Sequence, residues 1–170
     1  GHGKKEISLI DVGTGAGFPG IPVAIAYPDM KVTLVEPLQK RCRFLEAIKS
    51  ALHLDVTICN QRAEDFAQEH REQFDIVTSR AVARMTILLE LCAPLVKVGG
   101  TFVALKGKNG LEELRQAKLA MDTLHVSLQS EDHVQVQEAQ HIVFYLQKEK
   151  ACPKKYPRNY GQIKKKPLGE

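Results

Sequence analysis

Long apolar runs are missing from this sequence. The longest, such as 21–27, stay far below the roughly 20 residues that a membrane-spanning helix needs. The N-terminus shows no basic segment followed by an apolar stretch and a small-residue cleavage site, so no secretory signal is expected. We therefore expect a cytoplasmic protein without a membrane segment.

The spacings typical of metal sites are also missing. The four cysteines, at positions 42, 59, 92 and 152, form no Cys-x-x-Cys pair. The six histidines form no His-x-His or His-x-x-x-His pattern. We therefore expect reduced thiols and no bound metal.

The length and composition are those of one globular domain with a basic end. The chain has 170 residues, of which 44% are hydrophobic and 26% charged. Residues 150–170 hold seven of the 24 Lys and Arg residues but one of the 20 acids, and three prolines interrupt them. This composition predicts a domain over residues 1–149 and an extended or partly disordered basic arm over 150–170, of a kind that commonly meets phosphates.

Short β-rich apolar runs alternate with helical patterns along the chain. This alternation is typical of a parallel sheet with helices on both faces. Only the polar stretch 129–140 separates the last two strands, which predicts an antiparallel hairpin because a parallel crossover needs a longer connection. We therefore predict an α/β fold with a mostly parallel seven-stranded sheet, its strands at 7–12, 32–36, 56–60, 75–79, 101–106, 126–128 and 141–147.

The most informative segment is the loop after the first predicted strand, Asp11-Val12-Gly13-Thr14-Gly15-Ala16-Gly17-Phe18-Pro19-Gly20. Glycines at a strand-to-helix turn leave room for a nucleotide-like ligand, and three alternating ones have no evident packing benefit. Gly15, Gly17 and Gly20 match the dinucleotide fingerprint. The frame Asp11-x-Gly13-x-Gly15-x-Gly17 instead resembles the S-adenosylmethionine (SAM) loop of class I methyltransferases. Asp11 favours SAM over NAD, because an acid attracts the cationic end of SAM and repels a pyrophosphate.

Two further positions fit a nucleoside. Glu36 ends the second predicted strand, 23 residues after Gly13, where an acid can accept both ribose hydroxyls. Ala63 and Glu64 follow the third strand, at the height of an adenine edge. These positions support a nucleoside without choosing between SAM and NAD.

Several motifs together resemble a known family. They are the loop 11–22, Lys40-Arg41 before Phe44-Leu45, Arg62-Ala63-Glu64, the segments 78–84, 91–100 and 102–106, and Lys155-Tyr156-Pro157-Arg158. Across essentially the whole chain, they resemble the bacterial 16S rRNA guanine-N7 methyltransferases, the RsmG or GidB family. The resemblance implies a Rossmann-like class I methyltransferase fold, SAM as cofactor and the small ribosomal subunit as partner.

In that family, SAM methylates a guanine N7 in the 530 loop of 16S rRNA. N7 has a lone pair and no proton, so transfer in line with the methyl–sulfur bond needs no general base. After the fourth strand the chain has Ser79-Arg80-Ala81-Val82, where exocyclic-amine methyltransferases carry Asn or Asp followed by Pro-Pro and an aromatic residue. The resemblance implies cofactor contacts at Gly13, Phe18, Ala63, Glu64 and Arg80.

Arg80 has more than one interpretation. Its guanidinium could bind the cofactor or orient the guanine through O6, or it could pair with a carboxylate such as Glu64. Two departures from the family are visible. The family usually begins with a further helical segment, and its second strand often ends in Asp, where this chain has Glu36.

Basic residues at strand ends and in the arm are candidates for RNA contacts. Tyr156 and Tyr160 could stack on unpaired bases. We expect a monomer. The alternatives are an NAD-dependent oxidoreductase, resting on the dinucleotide fingerprint, and a noncatalytic RNA-binding protein that uses the arm alone. The predicted RNA contacts are Arg84, Lys106, Lys108, Arg158, Lys164, Lys165 and Lys166.

Overall fold

The computed structural model describes residues 6–80 and 83–170. Seven strands form one sheet in the order β3-β2-β1-β4-β5-β7-β6. The strands are β1 Ser8–Val12, β2 Lys31–Val35, β3 Val56–Cys59, β4 Phe74–Ser79, β5 Val96–Lys106, β6 Val126–Val136 and β7 Ala139–Lys148. The helices are α1 Gly20–Ala26, α2 Gln39–Leu52, α3 Ala63–Glu69, α4 Met85–Cys92, α5 Gly110–Gln116, α6 Lys118–Leu124 and α7 Tyr160–Lys165.

The predicted fold class is confirmed. Strands β1 to β5 pair in parallel, and β7 runs antiparallel to both β5 and β6. The hairpin is longer than predicted, since most of the polar stretch 129–140 belongs to β6 and β7. The extra length escaped the sequence pattern because its residues are largely exposed, and such strands need no apolar alternation.

Two apolar clusters cover the two faces of the sheet. On one face, Leu9 and Leu34 pack with Ile21 of α1 and Leu45 of α2. On the other face, a larger cluster joins the strands to α3, α4 and α6. The side chains of successive strand residues therefore pack on opposite faces of the sheet, as expected for strands buried on both sides.

The C-terminal residues pack against the larger cluster, so the expectation of an extended arm is wrong. Cys152, Tyr156 and Ile163 are buried members of that cluster. The division into residues 1–149 and 150–170 stays a prediction about domains. Short-range composition indicated disorder because buried residues are sparse in this segment, occurring once every few positions among exposed lysines.

Two arginine contacts hold this C-terminal segment, residues 150–170, in place. The Arg71 guanidinium donates to the carbonyl oxygens of Cys152 at 2.8 Å, Pro153 at 2.9 Å and Tyr156. Arg158 forms a two-pronged pair with Glu90, a buried carboxylate of α4. The partners are far apart in sequence, so the contacts depend on the tertiary fold.

Candidate functional site

A cavity opens at the carboxyl ends of β1, β2 and β4. The strand order reverses between β1 and β4, and open α/β sheets bind ligands at such a point. The cavity has a volume of about 230 Å³. It is lined by Val12, Gly13, Val35, Pro37, Arg62, Ala63, Glu64, Ser79, Ala83, Leu88, Leu91 and Tyr160.

The glycine loop forms one wall of this cavity through Gly13. Gly13, Gly15 and Gly17 have φ angles of 65°, 60° and 100°, which residues with a Cβ rarely adopt. The Gly13 N–H donates to the carbonyl oxygen of Val35 at 2.9 Å, which ties the loop to β2. Among the described residues, the lining includes Gly13 but not Gly15, Gly17 or Phe18, whose cofactor contacts stay predictions.

Packing explains two of the glycines, contrary to the sequence-based expectation. A Cβ on Gly17 would lie 2.5 Å from Cγ1 of Ile21, and a Cβ on Gly20 would lie 2.3 Å from Cδ2 of Leu34. Both distances are far below a van der Waals contact. Gly17 and Gly20 therefore let α1 sit close to the loop and to β2, a role that a glycine can have whichever nucleotide the loop binds.

Asp11 holds the loop from inside. Its Oδ2 accepts hydrogen bonds from the Thr14 hydroxyl at 2.6 Å and the Gly20 N–H at 3.0 Å, and its Oδ1 accepts one from the Thr78 hydroxyl at 3.0 Å. Burial raises the pKa of Asp11 from 3.8 to about 6, although these hydrogen bonds lower it in part. Asp11 thus shapes the loop, and its direct contact with a ligand stays a prediction.

Glu36 connects the loop to the end of β2. Its Oε1 accepts from the Gly15 N–H at 2.9 Å, and its Oε2 accepts from the Leu38 N–H at 2.8 Å. Its chain neighbours Val35 and Pro37 line the cavity. Oε1 also lies 3.8 Å from Nη1 of Arg41, and the buried Glu36 is not among the described residues that line the cavity, so its contact with ribose hydroxyls stays a prediction.

The opposite wall combines α3 with the C-terminal segment. Ala63 and Glu64 begin α3, and the Arg62 Nε lies 2.5 Å from Oε1 of Glu64. The Arg62 guanidinium also covers the ring of Tyr160, 4.0 Å from its centroid. Sequence reasoning missed Tyr160 as a cavity residue, and no local signal could have found it. The proposed base stacking by Tyr156 is wrong, because Tyr156 is 6% exposed.

Arg80 stands at the end of β4, outside the cavity lining. Its guanidinium carbon lies 5.8 Å from the ring centroid of Phe18, whose side chain is half exposed. Glu64, the carboxylate suggested for Arg80, is hydrogen-bonded to Arg62. The remainder of the predicted motif, residues 81 and 82, lies outside the described residues. Arg80 as a cofactor or orienting residue therefore stays a prediction.

Lys106 does not offer its charge to solvent. Its side chain is 4% exposed, and its Nζ lies 3.0 Å from Oε1 of Glu113. Nζ also donates to the Ala83 carbonyl oxygen at 2.5 Å. A phosphate contact would have to displace these partners, so the predicted RNA contact of Lys106 stays a prediction.

The other predicted RNA contacts divide into paired and exposed residues. Arg84 lies 2.5 Å from Glu170, and Arg158 is bound to Glu90. Arg158 therefore fixes the C-terminal segment. Arg84 is 52% exposed despite its pair with Glu170. The exposed residues keep their predicted role, and they are Arg84, Lys108, Lys164, Lys165 and Lys166.

Within 6–80 and 83–170, no helix has both the length and the apolar character to cross a membrane. The same residues contain no group of three or more His, Cys, Asp or Glu side chains arranged to hold a metal ion.

Comparison with known sequences gives a consistent result. Residues 2–143 match the sequence profile of a family described as rRNA small subunit methyltransferase G, GidB. A relative from Ligilactobacillus salivarius is 47% identical over 171 residues, which cover 96% of this chain and 70% of the relative. A relative from Lysinibacillus sphaericus is 47% identical over 170 residues, covering 97% and 71%. Both carry the name ribosomal RNA small subunit methyltransferase G.

Solved structures share the fold. A variant of the 16S rRNA (adenine(1408)-N(1))-methyltransferase from Catenulisporales acidiphilia has a TM-score of 0.71 at 15% identity, covering 87% of each chain. M. jannaschii TYW2 in complex with AdoMet has a TM-score of 0.68 at 16% identity, covering 86% of this chain and 71% of that chain. At these identities the likeness concerns the fold alone.

Proposed function

Because this chain belongs to the rRNA small subunit methyltransferase G family, a family of SAM-dependent 16S rRNA methyltransferases, we propose that it methylates N7 of a guanine in the 530 loop. We further propose that it acts as a cytoplasmic monomer on the small ribosomal subunit. The family assignment replaces the NAD-dependent oxidoreductase and the noncatalytic RNA-binding protein as alternatives.

The cavity beside Gly13 is the observation that carries the cofactor part of this proposal. Gly13 brings backbone to the cavity wall without a Cβ, and the buried Glu36 lies next to two lining residues. Ala63 and Glu64 form the far wall, where an adenine edge would lie, and Tyr160 adds an aromatic ring. A small residue, an acid and an aromatic face suit the parts of a nucleoside.

The chemistry proposed for these residues is positioning. When bound, SAM supplies a methyl group on a positively charged sulfur. Guanine N7 carries no proton, so no side chain has to remove one. Glu64, a carboxylate in the cavity lining, is already hydrogen-bonded to Arg62, which suits a structural or binding role better than a basic one. The residues of the chain then contribute by holding the reacting atoms in line.

The proposal is tested by methyl transfer from labelled SAM to small ribosomal subunits that lack the modification. Cleavage of the rRNA at N7-methylguanosine locates the methylated position. Label at a guanine N7 in the 530 loop is expected. Label elsewhere, or no transfer by the chain to these subunits, contradicts the proposal.

A pair of glycine variants separates cofactor binding from backbone strain. Gly13 and Gly99 both have positive φ, 65° and 87°, but Gly99 has open space around it and lies outside the cavity lining. Alanine at either position is therefore expected to cost about 1–2 kcal/mol of stability. Gly13→Ala should also weaken SAM binding about tenfold by calorimetry, whereas Gly99→Ala should not. Equal SAM affinities would contradict the assigned cavity.

A further inference from the structure

A groove lies beside the cofactor cavity. It has a volume of about 490 Å³ and lies where β5 ends and β7 begins. Ser79 and Ala83 line the cofactor cavity, whereas Arg80, between them in the chain, lines this groove. The two spaces therefore adjoin at the end of β4. The groove is lined by Arg80, Leu105, Lys106, Gly107, Glu113, His141, Ile142 and Val143.

Glu113 of α5 is the acidic group in this lining, and it is fixed from inside the protein. Its Oε1 accepts from the Met85 N–H at 3.1 Å and lies 3.0 Å from the buried Nζ of Lys106. Its side chain remains 24% exposed. A carboxylate can accept more bonds than these two, so Glu113 offers a preorganised acceptor to the groove.

Guanine is the base that matches such an acceptor. Its N1–H and N2–H₂ groups are neighbouring donors on one edge, and a carboxylate can accept from both. Adenine has an unprotonated N1 on the corresponding edge and would face the carboxylate with an acceptor. N7 lies on the opposite side of the purine, so a guanine held at this edge directs N7 away from Glu113.

We infer that this groove binds the target guanine and that the Glu113 carboxylate recognises its N1–H and N2–H₂ donors. The inference rests on the proposed function, because it assigns the base-binding part of that same reaction. Glu113 is a binding residue here, and Lys106 holds it in position.

The test uses small subunits reconstituted with 16S rRNA that carries guanosine or inosine at the target position. Inosine keeps N7 and N1–H but lacks the N2 amino group. The unmodified chain should bind the inosine subunits about tenfold more weakly and methylate them less efficiently, because one hydrogen bond to a charged group is lost. Equal affinity for the two subunits would overturn the inference.

Variants separate recognition from structural support. Glu113→Ala should bind guanosine and inosine subunits with equal affinity, while calorimetry shows its SAM affinity unchanged. Glu112→Ala is the matched control, since Glu112 is the preceding residue and pairs with Arg115 at an exposed position of the same helix. It should keep the tenfold preference for guanosine. If Glu113→Ala loses activity but keeps that preference, Glu113 only supports the fold.

The outcomes also separate this inference from the proposed function. Methylation of guanosine subunits without discrimination against inosine leaves the proposed function intact and overturns the role of Glu113. If guanosine subunits are not methylated, the proposed function is contradicted. The relative affinities for guanosine and inosine subunits would then still test whether the groove binds guanine. If Glu113→Ala does not fold, the guanosine and inosine affinities of the unmodified chain decide the question alone.

Discussion

Two buried carboxylates hold two different regions of this protein. Asp11 and Glu90 are both 0% exposed. Asp11 fixes the glycine loop and accepts hydrogen bonds from two hydroxyls and one backbone N–H. Glu90 fixes the C-terminal segment and binds a guanidinium, with the Arg158 Nη2 2.7 Å from Oε1. The loop is thus held by neutral donors and the segment by an ion pair.

The difference in partners has opposite consequences for the two regions. Neutral donors do not fully compensate a buried charge, which is why the pKa of Asp11 is raised to about 6. In the C-terminal segment, the hydrogen bond to Glu90 raises the pKa of Arg158. The stability that Asp11 gives the glycine loop should therefore depend on pH. The stability of the C-terminal segment should instead fall when either Arg158 or Glu90 is replaced.

The largest expected effect comes from breaking the ion pair. Arg158→Ala leaves the Glu90 carboxylate buried without its cation, and the free energy of unfolding should fall by about 3–5 kcal/mol. Urea denaturation measures this change. Lys154→Ala, at an exposed position of the same segment, is the control and should change it by less than about 0.5 kcal/mol. If the free energy of unfolding fell by a similarly small amount in both variants, the Arg158–Glu90 ion pair would not be what holds the C-terminal segment.

The next effect concerns pH and the glycine loop. The pKa of Asp11 is raised from 3.8 to about 6 on folding, so its contribution to stability is complete below pH 3.8 and is lost as pH rises through about 6. A shift of this size corresponds to about 3 kcal/mol. Asp11→Asn removes the ionisable group and keeps the side-chain shape.

The Asp11→Asn variant should therefore gain stability relative to the unmodified chain as pH rises from 4 to 7. Urea denaturation across this range gives the difference, and an NMR titration of Asp11 gives its pKa directly. If the stabilities of the two proteins changed in parallel with pH, ionisation of the buried Asp11 would not lower the stability of the protein.

A smaller effect is expected where the two regions meet. Tyr160 belongs to the C-terminal segment but lines the cavity formed with the loop. Tyr160→Ala removes the ring and should weaken SAM binding by about 0.5–1.5 kcal/mol, whereas Tyr160→Phe keeps the ring and most of the affinity. Calorimetry distinguishes them, and equal affinities for the Ala and Phe variants would remove Tyr160 from the cofactor site.

The smallest effect on stability is expected from the outward-facing lysines of the C-terminal segment. Replacing Lys164, Lys165 and Lys166 together by alanine should leave SAM affinity unchanged. Binding to small subunits should weaken, and its logarithmic salt dependence should fall by about 0.7 for each lost contact to single-stranded RNA. An unchanged salt dependence would place the RNA surface elsewhere on the protein.

The loop and the sheet were predictable because their signals are local. The loop residues Asp11 to Gly20 are consecutive, and each strand shows its own apolar run. The roles of single residues were less predictable. The sequence pattern predicts that Gly17 contacts a ligand, whereas in the structure its missing Cβ makes room for Ile21. The sequence predicts that Lys106 is an exposed cation, whereas its side chain is buried beside Glu113.

The sequence by itself determined the α/β fold, the position of the glycine loop and the family, since these follow from residues that are neighbours in the chain. The tertiary structure decided that the basic end packs on α4 and that Tyr160 reaches the cavity beside Gly13. Arg158 and Glu90 are separated by 68 positions, and such a pair leaves no periodicity or spacing in the sequence. It forms only when the sheet has brought both partners to the same side.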